Sequence, residues 1–195
     1  MGGILSRAQV SGLERAAAEA VIPGVDSLPA DSPVRRALIF EPRQDVNRVV
    51  FLFTPHRGSQ LASWNFSLWV SRLLRLPEWL RSGVAEALDT LDHDPAGLFP
   101  NSIRDLSPTS PFLRALSQTE PVVPAHSVIG DRGRRGPVAE SSDGVVAFSS
   151  AHLPQANSEL VVPAGHRETS HPAVVAELTR ILKAEVGGCG VPHRR

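Results

Sequence analysis

Asp143 and His166 carry side chains suited to proton transfer, and their sequence contexts favour a common site. Asp143 precedes a glycine and the β-branched pair Val145-Val146, a context that can hold a carboxylate at the carboxyl end of a sheet. His166 follows the apolar run Leu160-Val161-Val162 closely, so both residues are expected at one edge of a parallel sheet. An imidazole oriented by a carboxylate can activate a serine for acyl transfer. The two residues therefore predict the acid and the base of a nucleophilic site.

Each of these residues also has a simpler interpretation. Asp143 is a common turn former, and His166 could be an ordinary loop histidine. Their joint placement favours catalysis. His171 is the alternative base because it lies shortly after His166, although its position before Pro172 suits a helix cap better.

The first residues, Met1-Gly2-Gly3, match the second half of a G-x-S-x-G nucleophile elbow. In that motif the serine lies on a tight turn between strand and helix, and the next residue donates an oxyanion-hole N–H. Met1 would be that donor, and the serine would lie just before it. The simpler interpretation is a start methionine followed by two small residues. No complete G-x-S-x-G occurs in the chain.

A second candidate region follows the apolar run 49–53, in the string FTPHRGS. His56 and Ser59, with Trp64 shortly after them, are predicted to lie near a substrate cleft. A helix start capped by Ser59 is the simpler explanation for the string. All three tryptophans fall within 61–91, where core packing is favoured over an apolar lid above an acyl-binding cleft.

Composition narrows the possible functions. The chain has 195 residues, 42% of them hydrophobic, which is enough for one domain with a sizeable core. Its 20 basic and 20 acidic residues cancel, so no overall charge favours nucleic acid. No apolar run approaches the roughly 18 residues of a transmembrane helix, and no histidine spacing indicates a metal site.

Apolar patterning predicts an α/β fold. Continuous apolar runs at 49–53 and 160–162 and a run at 122–129 predict strands, with a further short strand or turn at 37–40. Helices are expected at 4–21 with a break at Gly12, at 111–117, and after Pro172. The last helix would have an apolar stripe formed by Val174, Val175, Leu178, Ile181 and Leu182. Strands that alternate with helices favour a mainly parallel sheet.

Several strings together resemble a bacterial lipase or esterase of the α/β-hydrolase superfamily, close to hydrolases with a T-P-H-R-G-S segment. The resemblance runs from Met1 to about residue 186. The matching strings, in order, are MGGILSR, FLFTPHRGSQLA, LSPTSPFL, HSVIGDRG, SSDGVVAFSSAHLP, SELVVPAGH and HPAVVAELTRIL.

This resemblance implies a serine-dependent carboxylic-ester hydrolase without a cofactor or metal, in which Asp143 orients His166. It covers only the C-terminal half of such an enzyme, so the N-terminal strands and the nucleophile serine are expected to be missing. The expected organisation is a partial hydrolase domain at 1–186, with a helical cap-like segment at about 60–91, and a flexible tail at 187–195. The predicted partner is a small-molecule ester or lipid, not nucleic acid, and the oligomeric state is left open.

The chain as given is expected to be inactive, because the nucleophile would precede Met1. The alternative is a non-catalytic hydrolase remnant or a binding module that uses an apolar surface. No signal peptide is visible, which places the chain as given in the cytoplasm, whereas an upstream start would leave the compartment open.

Overall fold

A three-stranded parallel sheet is the central element of the part of the chain that the structure describes. The computed structural model describes residues 2–59, 106–133 and 136–188. Strands β1 (Val49–Leu52), β2 (Ala125–Gly130) and β3 (Ser158–Val162) lie side by side in that order. Both neighbouring pairs are parallel. The predicted α/β class with a parallel sheet is confirmed.

Helices cover both faces of this sheet. The described helices are α1 (Gly2–Ser11), α2 (Arg15–Val21), α3 (Pro33–Leu38), α4 (Pro111–Ser117), α5 (Phe148–Ala151) and α6 (Pro172–Gly188). Val10 of α1 packs against Phe51 and Ala125 on one face. Val174 of α6 packs against Val128 and Val162 on the other. Burial of apolar side chains on both faces stabilises the three layers.

The break between α1 and α2 occurs at Gly12, as the sequence predicts. Gly12 has a φ of +70°, which favours glycine, and a Cβ there would lie 2.8 Å from Cδ of Pro42. The next residue, Leu13, forms an isolated antiparallel bridge with Phe40. A strand or turn is expected at 37–40, but only the bridge at Phe40 forms there, because Ala37 and Leu38 belong to α3.

The three strands differ from one another in burial. Every residue of β2 is buried, and the strand begins after Pro124, which lacks an N–H for the ladder. In β1, by contrast, only Phe51 is fully buried. The other three residues of β1 are partly buried, and within the described residues this strand has a strand neighbour on one side only.

The final helix has a narrower apolar face than expected. Val174 and Ile181 are fully buried, but Val175 and Leu182 are exposed and do not belong to the packed face. The helix continues to Gly188, slightly past the predicted end of the domain. The predicted cap-like segment at about 60–91 and residues 189–195 of the predicted tail lie outside the described residues, so this division of the chain stays a prediction. No helix in the described ranges is long and apolar enough to cross a membrane.

Candidate active site

Asp143 and His166 form a hydrogen-bonded pair beyond the carboxyl ends of β2 and β3. Oδ2 of Asp143 lies 2.8 Å from Nδ1 of His166. The carboxylate is almost completely buried, with 1% of its side chain exposed, whereas 34% of the imidazole is exposed. The sequence expectation that these two residues share one edge of the sheet therefore agrees with their positions, and their catalytic roles stay predictions.

A tight turn fixes the direction of the carboxylate. Oδ1 of Asp143 accepts hydrogen bonds from the backbone N–H groups of Val145, at 2.8 Å, and Val146, at 2.7 Å. Gly144 supplies the positive φ of +95° that this turn needs. With one oxygen held by two amides, the other is directed at the imidazole.

A glycine at the end of β2 lets this turn approach the segment after β3. A Cβ on Gly130 would lie 2.6 Å from both the carbonyl oxygen of Ala164 and Cβ of Asp143. The backbone N–H of His166 also donates to the carbonyl of Asp143, at 3.1 Å. The acid and the histidine are thus joined through both side chains and backbone.

The contact with Asp143 determines which ring nitrogen of His166 carries the proton. An ionised carboxylate only accepts hydrogen bonds, so Nδ1 is assigned as the donor and neutral His166 has an unprotonated Nε2. Nε2 has no hydrogen-bond partner among the described residues. This nitrogen is therefore available to accept a proton from a nucleophile.

Phe53 borders the imidazole and has an unusual backbone. Its φ is +51°, the only positive value at a non-glycine residue in the described part of the chain. Its ring lies 6.4 Å from that of His166 and belongs to the cluster of Val128, Val162 and Val174, on the opposite face from Phe51. The backbone turn at the end of β1 thus directs an aromatic side chain towards the histidine, and such strain in folded proteins is concentrated at functional sites.

The first turn of α1 lies at the same edge of the sheet. A Cβ on Gly3 would overlap the side chain of Thr54, which follows β1, so glycine permits a close helix–strand approach there. Gly2, the residue aligned with the last glycine of the elbow motif, has open space around its Cα. Met1, the predicted oxyanion-hole donor, lies outside the described residues.

His56 is fully buried and neither of its ring nitrogens has a hydrogen-bond partner in the described ranges. Its ring packs edge-on against Phe51, with 4.7 Å between centroids. Burial, and then the positive charges of Arg7 and Arg57, lower the pKa of His56 to about 3. His56 is therefore neutral at pH 7, and its assignment to a substrate cleft stays a prediction.

Ser59 is largely buried, and its hydroxyl donates to the carbonyl of Val145, in the turn that holds Asp143. This contact joins a predicted cleft residue to the candidate acid, but it does not test the predicted contact with substrate. Trp64 lies outside the described residues. The alternative base, His171, accepts a hydrogen bond through Nδ1 from the backbone N–H of Ala173, at 3.2 Å, and so serves the start of α6 as predicted.

Sequence reasoning missed Arg57 and Ser150, which link the loop after β1 to the region around α5. Nη1 of Arg57 donates to the carbonyls of Ser149 and His152, and the Ser150 hydroxyl contacts the same loop. Arg57 lies within the FTPHRGS string, but its partners are far away in sequence and no local pattern identifies them.

No cluster of three or more histidine, cysteine or acidic side chains arranged for a metal ion occurs among the described residues. His126 lies instead near the amino end of β2, where Nε2 is 2.6 Å from Nη1 of Arg48 and Nδ1 is 2.6 Å from Oγ of Ser158. Desolvation and then Arg48 lower the pKa of His126. It therefore belongs to a polar cluster at the other end of the strand from Asp143 and His166.

No protein-family model and no curated protein sequence matches the chain. Among solved structures it is similar to the lipase BlEst2 of Bacillus licheniformis in its mature form, with 22% sequence identity and a TM-score of 0.41. The similarity covers 70% of this chain and 54% of the lipase chain, so the chain spans about half the length of that protein.

Proposed function

We propose that the chain is part of a serine-dependent carboxylic-ester hydrolase in which Asp143 is the acid and His166 is the base. One observation carries this proposal: a buried carboxylate, fixed by two backbone amides, contacts Nδ1 of a partly exposed histidine at 2.8 Å. This is the arrangement that orients a general base in hydrolases with a serine nucleophile.

The proposed reaction uses the unprotonated Nε2 of His166. As the serine oxygen attacks the ester carbonyl, Nε2 removes the serine proton, and Asp143 stabilises the resulting imidazolium. The imidazolium then gives its proton to the leaving alcohol. In the second half of the reaction, Nε2 removes a proton from the water that attacks the acyl-serine and returns it to the serine oxygen as the acid is released.

The proposed nucleophile is a serine joined to the start of α1, as the elbow motif predicts. Support comes from the contact between Gly3 and Thr54, because it brings the first turn of α1 to the edge of the sheet that carries Asp143 and His166. A serine immediately before that turn would have its hydroxyl near this edge. On this proposal, residues 1–195 alone do not hydrolyse esters.

The proposed substrate is an uncharged ester, of the small-molecule or lipid type. This part of the proposal rests on the sequence resemblance to lipases and esterases, because Phe53, the aromatic ring beside His166, is buried in the core cluster and faces no substrate.

The first test is to read the codons in frame upstream of Met1 and to produce the protein from the start that they define. We expect Gly, any residue and Ser directly before Met1, and hydrolysis of p-nitrophenyl butyrate by the longer protein. A fluorophosphonate probe should label that serine, as mass spectrometry of the digested protein can verify. A stop codon in place of the serine would contradict the proposal.

A pair of histidine variants supplies the matched control. His166→Asn should reduce kcat on the order of a million-fold, since the nucleophile and its base act as a unit. His171→Asn changes a histidine close in sequence whose Nδ1 accepts a hydrogen bond at the start of α6, and should retain activity. Equal loss in both variants would count against His166 as the base.

A further inference from the structure

The loop Thr54–Ser59, here named the brace loop, is attached to the turn that holds the candidate acid. The Ser59 hydroxyl donates to the carbonyl oxygen of Val145. The N–H of Val146, which belongs to the same peptide group as that carbonyl, donates to Oδ1 of Asp143 at 2.7 Å, and Oδ2 of Asp143 contacts His166. A continuous chain of hydrogen bonds therefore connects Ser59 with the imidazole.

A second attachment fixes the brace loop to the segment after the turn. Nη1 of Arg57 donates to the carbonyls of Ser149, at 2.8 Å, and His152, at 2.7 Å. The Ser150 hydroxyl accepts from the N–H of Arg57 and donates to the carbonyl of Gly58. Hydrogen bonds from a charged guanidinium are about twice as strong as neutral ones, so this attachment restrains both segments.

The course of the brace loop is itself restrained. Gly58 has a φ of +85°, and a Cβ there would lie 2.6 Å from the carbonyl oxygen of Leu106. The N–H of Ser59 donates to the same carbonyl, at 2.8 Å. Ser59 is thus held in place by its backbone, and its hydroxyl transmits that position to Val145.

We propose that Ser59 is a positioning residue for the Asp143–His166 pair, acting through the peptide groups of Val145, with Arg57 as the second anchor of the same brace. The proposal deepens the function proposed above and rests on it. Ser59 does not need to touch the substrate in this role. Its hydroxyl prevents the Asp143–Val146 turn from rotating and so keeps Oδ2 directed at Nδ1.

The physical consequence concerns the proton on His166. If the Val145 carbonyl loses its donor, the adjoining peptide groups can rotate and weaken the hydrogen bonds to Oδ1. The carboxylate is then less well oriented, and Nδ1–H loses part of the interaction that favours it over Nε2–H. The Nε2 atom of His166 would carry the proton more often and could not act as a base in that state.

The test measures this proton directly, in the 195-residue chain with ¹⁵N-labelled histidine. Ring ¹⁵N chemical shifts and the Nδ1–H proton resonance at pH 8 report the tautomer and the hydrogen bond of His166. We expect Ser59→Ala to remove the downfield Nδ1–H resonance and to move the ring shifts towards the Nε2–H form. Ser59→Thr keeps a hydroxyl and should restore the unsubstituted spectrum.

Two further variants separate positioning from general loss of structure. Ser27→Ala removes a serine hydroxyl that also donates to a backbone carbonyl, that of Gly24, but in a turn outside the site, and should leave the His166 resonances unchanged. Arg57→Gln weakens the second anchor and should change the His166 spectrum in the same direction as Ser59→Ala. It keeps the proposal testable if Ser59→Ala does not fold.

The outcomes distinguish this proposal from the proposed function. If Asp143→Asn alters the His166 signals but neither brace variant does, the positioning role of Ser59 is wrong. The interaction between Asp143 and His166 is then still supported. If Asp143→Asn has no effect, both the pair and the brace are wrong. If the brace variants behave as expected while the longer protein hydrolyses no ester, the positioning role is supported and the ester-hydrolase function is rejected.

Discussion

His166 and Asp143 are joined twice, because the imidazole Nδ1 contacts Oδ2 at 2.8 Å and the backbone N–H of His166 donates to the carbonyl of Asp143. The backbone bond fixes the distance between the two segments, and the side-chain bond fixes the orientation of the ring. A substitution that removes only the carboxylate charge therefore leaves His166 near its position. The proton of its ring is then no longer held on Nδ1.

If the proposed function holds, Asp143→Asn in the protein extended upstream of Met1 should reduce kcat by about 10⁴-fold, with a much smaller change in KM, because an amide no longer enforces Nδ1–H. Esterase kinetics with p-nitrophenyl butyrate provide the measurement. Asp131→Asn is the matched control, since Asp131 is also a loop aspartate after β2 that accepts a backbone N–H, that of Gly133. A large loss of kcat in the control as well would point to folding.

Gly130→Ala should destabilise the chain by about 1–3 kcal/mol, because its Cβ would lie 2.6 Å from the backbone oxygen of Ala164 and from Asp143. Urea unfolding at pH 7 measures the free energy. Gly2→Ala is the control, since a Cβ there meets nothing within 4 Å and alanine favours a helix. Equal stability of Gly130→Ala and the unsubstituted protein would contradict the close approach of the three segments.

Local sequence signals predict much of the framework. The apolar runs at 49–53 and 160–162 contain β1 and most of β3, and the prolines at 111 and 172 occupy the first position of α4 and α6. The proximity of Asp143 and His166 is predicted in the same way, because residues that follow parallel strands lie at the carboxyl edge of the sheet. Each of these features depends on a few neighbouring residues.

The remaining features depend on distant partners. Val175 and Leu182 fit a helical apolar stripe, yet the sheet covers only part of α6 and leaves both exposed. Likewise, the FTPHRGS string indicates a special loop but not that Arg57 would contact carbonyls beyond residue 148. Such contacts are determined by how the loops pack, which no local periodicity encodes.

His56 should make the protein sensitive to acid. Its pKa is about 3 in the folded state and 6.5 in the unfolded state, so between these values the unfolded chain binds more protons. The free energy of unfolding therefore decreases as the pH falls from 6.5 towards 3, by up to about 1.4 kcal/mol per pH unit, while above 6.5 this contribution is constant. Urea unfolding at pH 7, 6 and 5 measures the slope.

His56→Met should reduce that slope, because methionine fills a similar volume without a titrating ring. At pH 7 the variant should be as stable as the unsubstituted protein or more stable, since it also removes two buried ring nitrogens without partners in the described residues. Identical pH slopes for the two proteins would show that His56 is not the group responsible.

Arg48→Gln should raise the pKa of His126, because the guanidinium at 2.6 Å opposes a second proton on the imidazole. Desolvation, the largest cause, and Arg180 would still lower this pKa, whereas Glu177 raises it, so the recovery should be partial. An NMR titration of ¹⁵N-labelled histidine gives the pKa of His126, with Arg36→Gln, at an exposed arginine of α3, as the control.

Because the His126 cluster lies at the opposite end of β2 from Asp143, the His166 Nδ1–H resonance should be unchanged in Arg48→Gln. A change there would mean that the amino end of the sheet is coupled to the candidate site.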